Sequence, residues 1–274
     1  MRSFISRIFG IIAAVKFPKF IQNFINCKYV EFFKIDMSEF DPPQSYASLN
    51  ALFTRRLLRP REIAADERAF ISPSDGVIFE SGSCADLRAF SVKGCEYSLS
   101  ELLGRTFTAS ESGVNLSYAN IYLSPRDYHH YHAPCDLSVL QALYIPADLY
   151  SVAKKLLLKI PNLYAKNERV ILKCKMRNGG ILWMVFVGAL NVGKMRFDFD
   201  TRIQTNACAS RAEALYEYEN LNFKKGDHLG NFELGSTIVL VVQSEFLKFE
   251  IPADTSVKFG QKIAEFNEIS QNSI

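Results

Sequence analysis

Short β-favouring runs separated by turn residues dominate the chain from Phe70 onward, and they constrain its fold more than any other feature. Runs rich in Val, Ile, Phe and Tyr alternate with Gly, Pro and Asp over most of this length. The most apolar of them in the last third, STIVLVV at residues 236–242, is typical of a buried strand. Helical spacing prevails before residue 46, so we predict an α+β fold: N-terminal amphipathic helices on a β-rich, sandwich-like or barrel-like body.

The 274 residues are enough for one large domain or two small ones. We expect a helical arm over residues 1–45 and a β-rich domain over residues 46–274. A hydrophobic share of 48% with a charged share of 22% excludes a disordered chain. The six cysteines form no CxxC pair, which argues against a zinc knuckle or a disulfide framework and suits a reducing compartment, with the thiols buried as small apolar side chains.

Positive charge is concentrated in the first 36 residues, which hold six basic and two acidic side chains, whereas the remaining chain has a net charge of −1. Apolar side chains in this segment recur with helical spacing before Pro18 and again around and after it. These positions are Phe4, Ile8, Ile11, Ile12 and Val15, then Phe17, Phe20, Ile21, Phe24 and Ile25. The pattern predicts two short basic amphipathic helices that lie in the interface of an anionic membrane.

Other interpretations of this segment are weaker. The uncharged run Ile8–Val15 is far shorter than the roughly 20 residues that span a bilayer. A signal peptide lacks a small-x-small cleavage site before Lys16. A helical hairpin packed on the protein's own core stays open, although the basic bias favours the membrane. Nucleic-acid binding is poorly supported, because the rest of the chain is near neutral.

Three of the four histidines, His129, His130 and His132, fall within DYHHYHAP. In a regular strand His130 and His132 share one face, so His129 converges with His132 only if the backbone turns or bulges. No nearby cysteine or carboxylate pattern completes a metal site, so no metal is expected. Three histidines within four positions favour a functional role over simple packing.

Asp75, the histidine cluster and Ser236 supply an acid, a base and a hydroxyl in that chain order. Asp75-Gly76 is also an ordinary turn dipeptide. The sequence ELGST lacks the second glycine of a nucleophile elbow and leads into a strand, which disfavours an ordinary esterase. The Gly235-Ser236 step is compatible either with a turn or with a peptide bond that is meant to break.

Taken together, these motifs resemble the bacterial phosphatidylserine decarboxylase proenzymes. LGST at 234–237 is similar to the self-cleavage motif of that family, SPSDGVI at 72–78 to its aspartate motif, and SPRDYHHYHAP at 124–134 to its histidine motif. SLNALFTRRL at 48–57 and KKGDHLGNF at 224–232 add support. The resemblance covers roughly residues 45–265, and several motifs in the right order are far more specific than any one alone.

The resemblance implies a self-processing enzyme. Ser236 would attack the Gly235 carbonyl, with His132 as the base and Asp75 holding its imidazole. The resulting ester would eliminate and hydrolyse, leaving a β chain of residues 1–235 and an α chain of residues 236–274 that begins with a pyruvoyl group derived from Ser236. This covalent cofactor would form a Schiff base with phosphatidylserine and release CO₂ and phosphatidylethanolamine. His129 would bind the substrate carboxylate or return the proton, with His132 as the other candidate donor.

The same resemblance implies a peripheral protein on the cytoplasmic face of the inner membrane, whose substrate lies in an anionic lipid surface. The α and β chains are expected to stay associated, and a homodimer of such units is compatible with the family. Two alternatives are a catalytically silent module that binds anionic lipid and a pyruvoyl decarboxylase of a soluble amino acid. The combined presence of Asp75, His132, Gly235 and Ser236 disfavours the silent module.

Overall fold

The computed structural model describes residues 10, 12–84, 88–92, 95–108, 111, 113–152, 157, 159–190, 194–205, 212–233 and 236–267, with the backbone alone described for 88–92, 95–97 and 236. The helices are α1 Lys19–Phe33, α2 Leu49–Phe53, α3 Leu99–Leu103 and α4 Leu163–Lys166, and 3-10 turns cover Pro43–Ser45 and Gly104–Thr106. The strands are β1 Ala69–Ile71, β2 Gly76–Cys84, β3 Arg88–Val92, β4 Cys95–Ser98, β5 Leu116–Leu123, β6 His130–His132, β7 Leu137–Ile145, β8 Arg169–Met176, β9 Ile181–Val187, β10 Lys194–Phe197, β11 Ala214–Phe223, β12 His228–Glu233, β13 Ser236–Gln243, β14 Thr255–Val257 and β15 Lys262–Glu265.

The main sheet has eight antiparallel strands in the order β11-β7-β8-β9-β13-β5-β2-β14. The end strands β11 and β14 are not paired with each other, so within the described residues the sheet is open and does not close into a barrel. This architecture, with helices before the sheet, confirms the α+β prediction and excludes the barrel-like form of the body.

Strand β13 lies inside the main sheet, between β5 and β9. Its residues Ile238–Val242 have no exposed surface. Successive side chains alternate between the two cores of the molecule, with Ile238 and Leu240 in one and Val239 and Val241 in the other. A strand that is covered on both faces requires an unbroken apolar run, which explains the sequence pattern.

A three-stranded sheet in the order β10-β12-β6 carries the histidine motif. Tyr131 anchors it to the main core, where its ring lies 4.4 Å from Phe186 of β9, measured between centroids. Gly230 of β12 allows β10 to come close, since a Cβ atom there would lie 1.8 Å from the carbonyl oxygen of Arg196. The histidine strand β6 is therefore held against the main sheet through Tyr131.

Helix α1 confirms the helix that the spacing after Pro18 predicts, and its buried face is polar. Asn26 is fully buried and donates from Nδ2 to the carbonyls of Pro43 and Tyr46, each at 2.9 Å. Phe20 and Phe24 point away from the protein and are 75% and 64% exposed. The helix is thus held by amide hydrogen bonds, while Phe20 and Phe24 face outward.

The segment before Pro18 is described only in part. Ile12–Ala14 are helical, Ile12 is exposed and Ala13 is buried against Phe53. The predicted positions Phe4, Ile8 and Ile11 lie outside the described residues. None of the helices in the described part of the chain combines the length and apolar character that crossing a membrane requires.

The cysteine prediction is confirmed for three of the four thiols that the structure describes. Cys84, Cys135 and Cys174 are free and buried, whereas Cys27 is half-buried. The side chains of Cys95 and Cys208 lie outside the described part. Burial raises the pKa of the Cys174 thiol above its ordinary value, as expected for an apolar packing residue.

Candidate active site

The aspartate motif forms the turn that leads into β2. Gly76 must be glycine, because a Cβ atom there would lie 2.5 Å from the carbonyl oxygen of Tyr122 in the neighbouring strand. Asp75 therefore sits where the backbone enters the main sheet. Two residues earlier, the Pro73 carbonyl accepts a 2.9 Å hydrogen bond from the N–H of His132, which joins the aspartate turn to the histidine strand.

Asp75 is held by an arginine and a backbone amide. Arg61 donates to its two carboxylate oxygens at 2.5 and 3.1 Å, and the Phe259 N–H donates to Oδ1 at 2.9 Å. Arg61 also pairs with Glu39 at 2.7 Å. Burial opposes the charge on Arg61, but its hydrogen bonds to Asp75 and Glu39 outweigh that cost and raise the pKa of the guanidinium.

His132 is buried, and both of its ring nitrogens have partners. Nδ1 lies 2.9 Å from the carbonyl oxygen of Gly226, so Nδ1 carries the proton and Nε2 is left to accept from the Tyr128 hydroxyl at 3.2 Å. The ring stacks on Phe259 with centroids 3.6 Å apart. Burial lowers the pKa of His132 to about 3, with the Gly226 hydrogen bond opposing the shift. His132 is therefore a neutral base.

The prediction that Asp75 holds this imidazole directly differs from the contacts observed, since the ring nitrogens of His132 bind Gly226 and Tyr128. The Gly226 carbonyl occupies the Nδ1 position of His132. The Asp75 carboxylate instead binds the charged Arg61, which is a stronger donor than a neutral imidazole. Asp75 is linked to His132 indirectly, through Phe259, whose amide it binds and whose ring stacks on the imidazole.

His129 is fully buried on the other side of the motif, next to Phe53 at 3.9 Å between ring centroids. Its Nδ1–H donates to the Asp127 carbonyl at 2.8 Å, and Arg55 donates to the same oxygen at 3.0 Å. Burial, reinforced by the charge of Arg55, lowers the pKa of His129 well below its usual value. Its Nε2 has a lone pair and no hydrogen-bond partner among the described residues.

His130 and His132 share one side of β6, as predicted: the His228 ring lies 5.0 and 5.1 Å from their centroids. His130 Nδ1 is 2.7 Å from His228 Nε2, and His228 Nδ1 is 2.9 Å from the Asp198 carboxylate. His228 is not among the site residues predicted from the sequence. Its presence in the KKGDHLGNF motif was the available signal, but only the pairing of β12 with β6 brings it here.

The backbone brings Ser236 to the same end of the main sheet. Ser236 opens β13 opposite Leu123 of β5, and Val77 lies opposite Tyr122 on the other side of β5. The start of β13 and the aspartate turn are therefore about two strand spacings apart, roughly 10 Å. On the preceding strand, the Phe232 N–H donates to the His129 carbonyl at 2.9 Å. Gly235 and the side chain of Ser236 lie outside the described part.

A cavity of about 470 Å³ opens beside these residues. Its walls come from five residues of the segment after α2, from the histidine motif, from the turn at 225–228 and from Phe259; the first two groups are Arg56, Leu57, Pro60, Arg61 and Ile63, then Tyr128, His130 and His132. Another cavity, of about 450 Å³, is lined by residues 194–205 and contains none of the predicted site residues. Among the candidate catalytic residues, this cavity gives a ligand direct access to His132.

Comparison with known proteins agrees with this geometry. The family model described as phosphatidylserine decarboxylase matches residues 49–265. A phosphatidylserine decarboxylase proenzyme of Campylobacter jejuni is 56% identical, over 95% of this chain and 97% of its own length. Proteins of the same name are 50% identical in Helicobacter pylori, over 96% and 97%, and 36% identical in Idiomarina loihiensis, over 96% and 92%.

The matched region contains all three motifs on which the resemblance was based, at 72–78, 124–134 and 234–237. Near-complete coverage of both chains at half or more identical residues extends the match to the N-terminal arm. The chain therefore belongs to the phosphatidylserine decarboxylase family and is a decarboxylase enzyme.

Proposed function

We propose that this protein decarboxylates phosphatidylserine to phosphatidylethanolamine and CO₂, after cleaving itself between Gly235 and Ser236. The observation that carries the proposal is the meeting of three family motifs at one end of the main sheet. The Pro73–His132 bond joins the aspartate and histidine motifs, and the Phe232–His129 bond joins the histidine motif to the strand before Ser236. The choice of phosphatidylserine as the substrate rests on the family match over residues 49–265.

Self-cleavage would use the hydroxyl of Ser236 as the nucleophile toward the Gly235 carbonyl, moving the acyl group from nitrogen to oxygen. His132 suits the role of base, because its Nδ1–H is bound to Gly226 and its Nε2 presents a lone pair. The Tyr128 hydroxyl that now donates to Nε2 would give way to that of Ser236. Asp75 would position His132 through Phe259.

The pyruvoyl group that Ser236 would become supplies a carbonyl that captures the substrate amine and an electron sink for loss of the carboxylate. The surrounding residues fit this chemistry, since the neutral histidines leave proton-accepting nitrogens in a protected site. We assign His129 to proton transfer: its Nε2 would take a proton from the substrate ammonium as the Schiff base forms and return that proton to the α-carbon after CO₂ leaves. Its Nε2 has no hydrogen to donate to a carboxylate, so carboxylate binding suits it less.

The two fragments would stay together after cleavage. The α chain would begin with β13, which is hydrogen-bonded on one side to β5 and on the other to β9. Its later strands β14 and β15 pair with β2 and β1 of the β chain. Three strands paired in this way would hold the α chain without any covalent link, and homodimerisation of the αβ unit is a further proposal.

The helical arm would hold the protein at the cytoplasmic surface of the inner membrane. The exposed face of α1 carries Phe20, Phe24 and Phe32, and Lys16 and Lys19 lie at its start. Phenylalanines that enter the acyl boundary next to lysines that meet anionic headgroups are typical of interfacial helices. The arm would thus bring the site to its lipid substrate.

Expression of the wild type, Ser236→Ala and His132→Ala tests the proposal, with Ser256→Ala, an exposed serine on β14, as the matched control. The wild type and the control should give two fragments on a denaturing gel and release CO₂ from phosphatidylserine vesicles. Ser236→Ala should remain a single 31.1 kDa chain without activity. An uncleaved wild type that binds vesicles would support the silent lipid-binding module, and release of CO₂ from free serine alone would support a soluble substrate.

A further inference from the structure

The cavity beside His132 carries an excess of fixed positive charge. Arg56, Arg61 and Lys225 line it, against the single carboxylate of Asp227. A cavity of about 470 Å³ lies within the usual range for small-molecule sites, about 300–1,000 Å³. An anionic ligand of the size of a lipid headgroup therefore matches both its volume and its charge.

The three cations differ in how many of their N–H donors are already bound to other groups of the protein. Arg61 is committed to Asp75 and to Glu39. Lys225 lines the cavity, and its Nζ donates to the backbone carbonyl of Asp66 at 2.7 Å, a contact without a counter-ion. Arg56 is exposed, and the described part of the chain contains no hydrogen-bond or ion-pair partner for it. Arg56 is thus the cation with free donors.

The charge of Arg56 acts on the interior of the cavity. Burial is the main cause that lowers the pKa of His130 to about 4, and the nearby charge of Arg56 adds to the shift. Burial likewise raises the pKa of Tyr128, and Arg56 is among the charges that oppose this shift. The charge of Arg56 therefore reaches the wall formed by the histidine motif, in agreement with the place of Arg56 in the cavity lining.

We propose that Arg56 binds the phosphodiester of the substrate headgroup, with Lys225 as a second positive charge at the rim, a role that rests on the proposed function. A guanidinium presents two parallel N–H donors that match the two free oxygens of a phosphodiester. In phosphatidylserine only two carbons and one oxygen separate the amine from the phosphorus. A phosphate held in this cavity therefore leaves the reactive amine close to the wall that His132 forms.

The chain order supports delivery of a lipid to this site. Arg56 follows α2 by three residues, and α2 meets the helical arm in a small apolar cluster, where Tyr29 of the arm packs against Phe53 and Ala13. A lipid held next to the arm would pass its headgroup into the cavity while its acyl chains stay in the membrane.

Arg56→Gln tests the proposal, with Arg59→Gln as the matched control, because Arg59 lies in the same exposed segment and outside the cavity lining. Dihexanoyl phosphatidylserine below its micellar concentration is the substrate, so that attraction of the protein to a membrane does not contribute. Arg56→Gln should raise KM about tenfold, as expected for loss of one charge-assisted hydrogen bond, with kcat changed less than twofold. Arg59→Gln should match the wild type.

Binding of glycerophosphoglycerol, a phosphodiester without an amine or carboxylate, provides a readout that is independent of turnover. Calorimetry should give a dissociation constant about tenfold higher for Arg56→Gln than for Arg59→Gln. Equal constants, or equal KM values, for the two variants would overturn the proposal. Inorganic phosphate as a second ligand separates the two sources: tighter binding of phosphate than of the phosphodiester would also overturn it.

Fragment formation on a denaturing gel separates this result from the proposed function. Both variants should cleave as the wild type does, since neither residue contacts Asp75 or His132. A wild type that neither cleaves nor releases CO₂ would refute the proposed function, while the glycerophosphoglycerol measurement would still decide whether Arg56 binds a phosphodiester.

Discussion

The outward phenylalanines of α1 give a quantitative prediction for membrane binding. Phe20 and Phe24 are 75% and 64% exposed, and a phenylalanine buries about 200 Å², so the two side chains present about 280 Å² of apolar surface. At about 25 cal/mol per Å², complete burial of this area would yield about 7 kcal/mol. A helix that lies in the interface buries roughly half of it, or about 3 kcal/mol.

The perturbation is the double substitution Phe20→Ser with Phe24→Ser. A loss of about 3 kcal/mol should weaken binding to anionic vesicles by about two orders of magnitude in a sedimentation assay. Neither side chain takes part in the buried contacts of α1, which Asn26 makes with the carbonyls of residues 43 and 46. The thermal unfolding midpoint should therefore stay within a few degrees of the wild type.

The matched control is Lys28→Ser with Glu31→Ser, which puts two serines into the same helix and leaves the net charge unchanged. These side chains form an exposed ion pair, 60% and 71% accessible, and such pairs contribute little to stability. The control should bind vesicles as the wild type does. Equal binding by the phenylalanine double variant and the control would refute the assignment of this face to the membrane.

Three further predictions concern the body of the protein and are measured by urea unfolding. Arg61→Gln should lower the free energy of unfolding by about 3–5 kcal/mol, because it leaves the buried Asp75 carboxylate unpaired; a loss under 1 kcal/mol would contradict the ion-pair assignment. The folded-state pKa of His132, about 3, lies below its unfolded value of 6.5, so the free energy of unfolding should fall as the pH drops below about 6.5, by about 2 kcal/mol between pH 7 and pH 5. A His132→Asn variant should lose that share of the pH dependence. An unchanged pH dependence in the variant would contradict the assignment of a buried neutral imidazole. Gly230→Ala should cost about 3 kcal/mol, because the added methyl meets a backbone carbonyl, whereas Gly113→Ala, whose methyl meets nothing within 4 Å, should cost less than about 1 kcal/mol; equal losses would contradict the close strand approach.

The broad architecture follows from sequence patterns that act locally. The β-branched run at 236–242 has to be buried on both faces, and this is why it becomes an inner strand of the main sheet. The spacing after Pro18 is that of a helix, which is observed over Lys19–Phe33. Closure into a barrel was not decidable in this way, because it depends on which strands form the edges of the sheet.

The contacts inside the site depend on pairings between distant segments, and local patterns do not reveal these. Arg61 binds the Asp75 carboxylate in place of His132, and the turn at Gly226 supplies the carbonyl that orients His132. His228 joins the histidine cluster because β12 pairs with β6 across about 100 residues of sequence. The catalytic residue types were readable from the chain order, whereas the partner of each side chain required the fold.

The mass of the C-terminal fragment after expression of the wild type tests the central claim most directly. If Ser236 becomes the pyruvoyl group, intact-mass spectrometry should show a fragment of residues 236–274 with a blocked N-terminus, lighter than the serine-initiated peptide by about 17 Da because the conversion is a net loss of ammonia. Sodium borohydride should raise this mass by about 2 Da. An intact 31.1 kDa chain in an active preparation, or a fragment with a free serine at its start, would contradict it.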